Sequence, residues 1–335
     1  DRSPSRGLGD VYKRQHPLWM RQLSGALATA AAADPLSRVM LLLLAEQPAA
    51  VHVRDELSDQ LVSLLSRAYD CIPTHAPRLD LVPVLAAGGW RLEQAATHRQ
   101  LSALLKPPIE GESSLPDACV EDAIRRIREA RHQAGLAELP FCIAGCLGEL
   151  PLSSDASSMK VLGGNPCASR RLVHEHVAVG GTFDRLHAGH RLLLAVAALA
   201  CTRVCYVGVT GDKLLANKAH ADLLHTYEHR SLVAKEYLQA VRPALGVELS
   251  ALLDPSAPPK AATMAEITAL VISRETVAGG VKLQQMRRDQ GIEEPLDLIL
   301  VDLVGASSQS AGASKLSSSE LRRLDATAPT QTFPL

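Results

Sequence analysis

Two short segments carry residues whose types and spacing suit phosphate chemistry. The first is Val177–His190, VAVGGTFDRLHAGH. An apolar run leads into Gly180 and Gly181, a polar loop follows, and a helix is expected to begin near His187–His190. Glycines at the end of a strand let a ligand come close to the backbone. The following helix N-terminus offers unpaired N–H groups and the positive end of a dipole. His187 and His190 lie three apart and share one face of the first turn, with Gly189 leaving room between them. The second segment is Lys315–Arg323, KLSSSELRR. Ser317, Ser318 and Ser319 would cap a helix and offer hydroxyls to phosphate. Arg322 would add a permanent positive charge. Each segment alone has a plainer reading, two histidines on a helix face and a serine cap.

The elements that must position these residues follow from 172 onward. The spacing predicts strands at 173–181, 203–210, 246–254, 267–273 and 296–304, separated by helices at 190–200, 227–241 and 276–290. Five β-rich runs alternating with helices imply a doubly wound α/β fold with a parallel sheet. The expected strand order is 3-2-1-4-5, because the first motif must lie at a topological switch point. His187 and Ser318 should then face one cavity.

Upstream, residues 16–150 read as a smaller α/β region of unknown role. Apolar runs at 39–45 and 79–86 suit buried strands, and 55–70 and 117–135 suit amphipathic helices. No catalytic constellation appears there. Pro17–Ala33 is Ala-rich and reads as a helix, with an organelle-targeting segment as the alternative. Residues 151–171 are rich in Ser, Gly and Pro and read as a linker at which the halves would separate. Residues 1–15 show no periodicity and are set aside as disordered or artefactual. Residues 326–335 read as a tail.

Composition narrows the classes. The 335 residues suggest two domains, and 47% hydrophobic content excludes wholesale disorder. Lys and Arg number 35 against 36 Asp and Glu, so the net charge of -1 gives no basic footprint for nucleic acid. Aromatic content of 3% argues against stacking platforms for single strands. The longest apolar run, Val39–Ala45, falls short of the roughly 20 residues that span a bilayer. Seven scattered cysteines form no CxxC pair and read as reduced thiols. That favours the cytoplasm, with the mitochondrion as the alternative.

GGTFDRLHAGH resembles the signature of the HxGH nucleotidyltransferases, Rossmann-like enzymes that transfer a nucleotidyl group from a nucleoside triphosphate and release pyrophosphate. KLSSSELRR is similar to that superfamily's ISSTxxR motif, with Leu316 for Ile and Ser319 for Thr. VGVTGDKLLANKAHADLLHTYEHR and VISRETVAGGVKLQQMRRDQG resemble the eukaryotic type of phosphopantetheine adenylyltransferase, including the equivalent domain of bifunctional coenzyme A synthase. The similarity runs from about 175 to 325.

The resemblance implies transfer of AMP from ATP to 4′-phosphopantetheine, giving dephospho-coenzyme A. It implies His190 on the α-phosphate, His187 assisting, Thr182 on the attacking or α-phosphate, and Lys218 or Lys213 as a clamp. Gly180, Gly181, Phe183, Asp184, Gly189, Ser273, Thr276, Ser317, Ser318, Ser319 and Arg322 would complete the nucleotide site. Asp184 also has a reading as a residue that fixes its loop. Mg²⁺ would arrive on ATP phosphates, with no dedicated protein metal site. The chain departs from the pattern at Gln284, where Asn is expected, and at Arg274, where an acidic residue or proline is usual. It carries no GxxxxGK[ST] loop, which implies a separate kinase for dephospho-coenzyme A. Two other readings stay open. One is a cytidylyltransferase for a phosphorylated alcohol, although such enzymes carry an RTxGISTT-like string where this chain has KLSSS. The other is an inactive nucleotide-binding scaffold.

Overall fold

The computed structural model describes residues 18–34, 38–42, 57–72, 75–98, 104–106, 117–139, 141–143, 172–302 and 317–327. The leading segment 1–15 and the linker 151–171 lie outside them, as does the tail beyond 327.

The first half holds α1 (Leu18–Ala33), β1 (Arg38–Leu42), α2 (Asp59–Asp70), β2 (Asp80–Val84), α3 (Leu92–Ala96), β3 (Leu104–Lys106), α4 (Asp117–Gln133) and β4 (Phe141–Ile143). β1 pairs with β2 and β3 with β4, both in parallel. Ser58 caps α2 by accepting from the Leu61 N–H at 3.3 Å.

The second half runs β5 (His174–Gly181), α5 (Ala188–Ala200), β6 (Cys201–Thr210), α6 (Tyr227–Val241), β7 (Gly246–Leu252), α7 (Lys260–Thr263), β8 (Ala269–Ser273), α8 (Val277–Asp289), β9 (Asp297–Val301) and α9 (Ser318–Thr327). Its five strands form one parallel sheet in the order β7-β6-β5-β8-β9. Numbered within the sheet, this is the expected 3-2-1-4-5. Helix α6 begins at Tyr227 because Thr226 caps it, accepting from the His229 N–H at 3.3 Å. Helix α5 starts two residues before the expected 190, because His187 serves as its cap. β7 stops at Leu252, two residues early, where the chain leaves the sheet for the 253–259 loop.

Alternate residues of the central strands feed two layers, as a parallel sheet covered on both faces requires. Ala178, Tyr206, Leu270 and Ile272 pack on one face, with Ala261 of α7 and Leu283 of α8. Val177, Val179, Val207 and Val271 pack on the other, against α5 and α6. Leu57, Leu65, Tyr69 and Leu81 of the first half join that second layer without a break. Two buried hydroxyls cross the junction: Tyr69 and Tyr237 lie 2.5 Å apart, and Tyr237 donates to the Leu81 carbonyl at 2.6 Å. Trp90 Nε1 donates to the Val241 carbonyl at 3.0 Å. Among the described residues the first half therefore covers the outer side of α5 and α6, and the halves share one apolar core. None of the described helices is long and apolar enough to cross a membrane.

Candidate active site

The strand order reverses between β5 and β8, so their carboxyl ends leave a crevice. A cavity of about 660 Å³ opens there, a typical size for a small-molecule site. Gly180, Gly181 and Thr210 form its floor, the first turn of α5 one wall, and Thr276, Gly280 and Lys282 another. Gly280 is needed for this packing, since a Cβ there would sit 2.8 Å from Ile272 Cδ1. Leu252, Asp254 and Pro255 close the far end.

His187 has extended backbone and caps α5, its Nδ1 accepting from the Gly189 N–H at 3.2 Å. An accepting Nδ1 puts the proton of the neutral ring on Nε2. A Cβ on Gly189 would lie 3.2 Å from His187 Cε1, so the glycine makes room for that ring. His190 stacks on His187 at 4.1 Å, and the buried Phe183 meets it edge-on at 5.6 Å. Burial, then the neighbouring His187 and Arg191, push the His190 pKa well below the ordinary histidine value. The ring is therefore a neutral donor and acceptor near pH 7. Its Nδ1 is buried and has no partner among the described residues.

The loop after β5 is strained. Phe183 and Arg185 hold left-handed backbone, at φ 51° and 46°, which costs on the order of 1–3 kcal/mol per residue. The second motif holds this loop in place. Asp184 is fully buried and accepts from Arg322 Nη1 at 2.6 Å, Arg185 Nη1 at 3.2 Å and the His225 N–H at 3.2 Å. Ser318 Oγ donates to the Asp184 carbonyl at 2.7 Å. Arg322 also donates to the Ala219 carbonyl and to Ser319 Oγ, each at 3.0 Å. Ser317 caps α9, accepting from the Glu320 N–H at 3.2 Å.

The expected residues thus divide. Gly180, Gly181, His187, Gly189, His190, Ser273, Thr276 and Ser317 line the cavity. Phe183, Asp184, Ser318, Ser319 and Arg322 form the layer beneath it. It is Ser317, rather than the expected Ser318, that faces the cavity with His187. Arg322, expected beside phosphate, is 1% exposed and committed to Asp184. Thr182 lies at the loop's start, its carbonyl accepting from Arg230 Nη1 at 2.6 Å. Lys213 and Lys218 are exposed on the 211–220 loop, whose Leu214 lines the cavity. Gln284 Nε2 donates to the Leu296 carbonyl at 2.8 Å and is not part of the lining. Arg274 pairs with Asp302 at the rim.

Sequence reasoning passed over Arg230 and Lys282. Arg230 is 1% exposed and also donates to the carbonyls of Thr210 and His225 and to Asp212, at 2.8, 2.9 and 2.6 Å. It ties the ends of β5 and β6 to the lysine-bearing loop. Its position in the Tyr227-Glu228-His229-Arg230 string was the available signal. Lys282 lines the cavity wall, concealed in sequence by the other basic residues of α8.

Comparison with known proteins returns to the same region. Residues 178–324 match the family described as cytidylyltransferase-like. A phosphopantetheine adenylyltransferase of Saccharomyces cerevisiae is 37% identical over 147 residues, which is 44% of this chain and 47% of that protein. The match spans about half the length of the yeast relative. A phosphopantetheine adenylyltransferase of Thermococcus kodakarensis is 32% identical over 152 residues, 45% of this chain and 87% of that protein. A solved structure of a protein of unknown function from Archaeoglobus fulgidus aligns with TM-score 0.29 and 24% identity, over 42% of this chain and 96% of that one.

Proposed function

The chain belongs to the cytidylyltransferase-like family, alongside the phosphopantetheine adenylyltransferases, and from that premise we propose that residues 172–327 transfer AMP from ATP to 4′-phosphopantetheine. The products are dephospho-coenzyme A and pyrophosphate. One observation carries the reading: His187, His190 and Ser317, from two separate motifs, meet in a single cavity at the switch point of the sheet. That cavity continues into an apolar trough lined by Leu214, Leu252, Leu270 and Met286, suited to a pantetheine arm.

The substrate's phosphate is the nucleophile. It is ionised at pH 7, so no side chain has to remove a proton. A phosphate oxygen attacks the α-phosphorus in line, and the bond to the bridging oxygen of pyrophosphate breaks. Catalysis is then positioning and charge stabilisation. The neutral His190 donates an N–H to a non-bridging α-phosphate oxygen, a contact that strengthens as charge develops. His187 donates from Nε2, its Nδ1 being held by Gly189. The free N–H groups of the first turn of α5 add a positive end of dipole. Ser317, Ser273 and Thr276 offer hydroxyls to the leaving phosphates, and Thr182 offers one to the attacking phosphate. Lys218, or Lys213 on the same loop, closes as the clamp, with Lys282 on the opposite wall. Asp184, Ser318, Ser319 and Arg322 act from below by fixing the loop.

The donors at the cavity suit Mg²⁺ carried on the triphosphate. Among the described residues no group of three His, Cys, Asp or Glu could cage an ion, while ring N–H groups and hydroxyls suit phosphate oxygens. The chain would hold the ion through those phosphates, and the ion would neutralise negative charge on them. The product calls for a later kinase. The cytoplasm is the compartment assigned, with the mitochondrion as the alternative.

The test is pyrophosphate release by the purified chain with 4′-phosphopantetheine and each of the four nucleoside triphosphates. ATP alone should support sustained release. Release from CTP with a phosphorylated alcohol would replace this reading with a cytidylyltransferase, and no release with any pair would leave a scaffold.

A further inference from the structure

The first half of the chain contains no phosphate motif, yet two of its side chains reach residues that follow the two motifs on their helices, Arg191 and Asp325. Asp80, at the start of β2, accepts from Arg191 Nε at 2.9 Å. The carbonyl of Arg78 accepts from Arg191 Nη2 at 3.3 Å. Arg191 follows His190 directly on α5. Successive helix residues point about 100° apart, so His190 faces the cavity while Arg191 reaches back to β2. Asp80 also takes Arg38 Nε at 2.7 Å, which steadies the carboxylate from its outer side.

The Arg78 side chain reaches the helix that carries the other motif. It pairs with Asp325 on α9, and Asp325 takes Arg185 Nε at 2.5 Å. Arg185 in turn meets Asp184, which is closed by Arg322. This is a continuous chain of alternating charge, from β2 through α9 to the strained loop after β5. The pairs nearest the site are well covered: the Arg185 side chain is 9% exposed and Asp184 0%, and in the separate Asp80 pair Arg191 is 10% exposed. Exposure rises outward, to 28% at Asp325, 42% at Arg78 and 45% at Arg38. Ion pairs that served only to attach the halves could fall anywhere on their shared surface. These fall on the residue after His190 and on the loop beneath it.

We propose that Arg78 and Asp80 are positioning residues for nucleotidyl transfer, holding the His187–His190 turn and the Asp184 loop in one fixed relation. The proposal rests on the function given above and extends it by making the first half part of the working site. Asp80 sets the rotation of the first turns of α5 through Arg191. Arg78 sets the depth of α9 and the loop through Asp325. Neither residue touches substrate.

The test uses the full chain with Asp80→Asn, Asp80→Glu, Arg78→Gln and Arg78→Lys. Activity is expressed per folded molecule, with the folded fraction taken from circular dichroism. Asp80→Asn should lower kcat about tenfold or more and change KM for ATP by less than threefold. Asp80→Glu should recover much of that loss. Arg78→Gln should show a smaller kcat loss, relieved by Arg78→Lys. The imidazole NMR signals of His187 and His190 should move in Asp80→Asn, since a role confined to stability leaves them in place once the protein is folded. Unchanged kcat per folded molecule, or a lower kcat with unmoved imidazole signals, overturns the proposal. If Asp80→Asn does not fold, Arg78→Gln decides by the same two readouts, because its pair lies nearer the surface. If the unmutated chain releases no pyrophosphate, the proposed function fails, and the imidazole signals alone then decide the positioning claim.

Discussion

The two phosphate-type motifs are built on opposite plans. The His187–His190 turn is open: both of its rings line the cavity. The Ser317–Arg322 segment is closed: Ser318, Ser319 and Arg322 spend their polar atoms on one another, on Asp184 and on Ala219. Only Ser317 reaches the cavity. On the proposed reading, groups that meet a charge appearing in the transition state stand at the cavity surface. Groups that hold a strained loop are satisfied and buried. A cation in a motif thus belongs to the ligand or to the fold according to its partner, and here a fully buried carboxylate claims Arg322.

The largest effect should come from removing the support common to both motifs. A chain beginning at Ser169 keeps both motifs but uncovers the outer side of α5 and α6, where Leu57, Leu65 and Tyr69 pack. It also loses Arg78 and Asp80. It should aggregate or bind a hydrophobic dye, read by light scattering and dye fluorescence. A soluble, active short chain would show that the first half is dispensable to both motifs.

Arg322→Ala should sharpen the contrast next. It leaves the Asp184 charge buried with its shortest partner gone, and breaking a buried pair costs about 3–5 kcal/mol. In a chain of this size that corresponds to a Tm lower by about 4–7 °C. His190→Ala should do the reverse. It should lower kcat by about 10²–10³, the usual loss on removing one transition-state donor, with Tm and ATP affinity little changed. Scanning calorimetry beside steady-state kinetics reads both variants. An Arg322→Ala protein with normal Tm and a low kcat would return Arg322 to the ligand and erase the distinction between the motifs.

The smallest effect concerns pH. Burial, then His187 and Arg191, lower the folded pKa of His190. The unfolded chain therefore takes up this proton first, and stability falls as pH drops through the ordinary histidine value of about 6.5. Denaturation at pH 7 and pH 5 should show a smaller loss in His190→Asn than in the unmutated chain. The neutral ring is also the working form, so kcat should show no inflection from His190 between pH 6 and 8. An inflection at the ordinary histidine pKa that disappears in His190→Asn would show that the ring titrates as an exposed one.

The open motif was legible because its signals are local. Gly180 and Gly181 close an apolar strand, and the His187–His190 spacing is a single helical turn. The sheet was legible because each strand is a short apolar run ended by polar residues or glycine, and α6 runs from 227 to 241 as expected. The closed motif was half legible. Serine capping can be read from residues in a row, whereas the Arg322–Asp184 pair joins positions 138 apart. The same holds for Arg191 with Asp80, 111 apart, and for Arg78 with Asp325, 247 apart. Arg287 resisted reading for the same reason. It sits in a basic stretch of α8, yet it is 2% exposed and donates to the carbonyls of Ala261 and Met264. The motif residues that line the cavity kept a local pattern, and the residues that support them did not.

The central claim is that this cavity moves a nucleotidyl group, and ATP labelled on its α-phosphorus tests it most directly. With 4′-phosphopantetheine present, the label should appear in dephospho-coenzyme A while unlabelled pyrophosphate accumulates in equal amount. Label recovered as ADP would mean phosphoryl transfer, and label recovered as free AMP would mean hydrolysis. Either result would contradict the account of a phosphate nucleophile attacking an α-phosphorus held by His187 and His190.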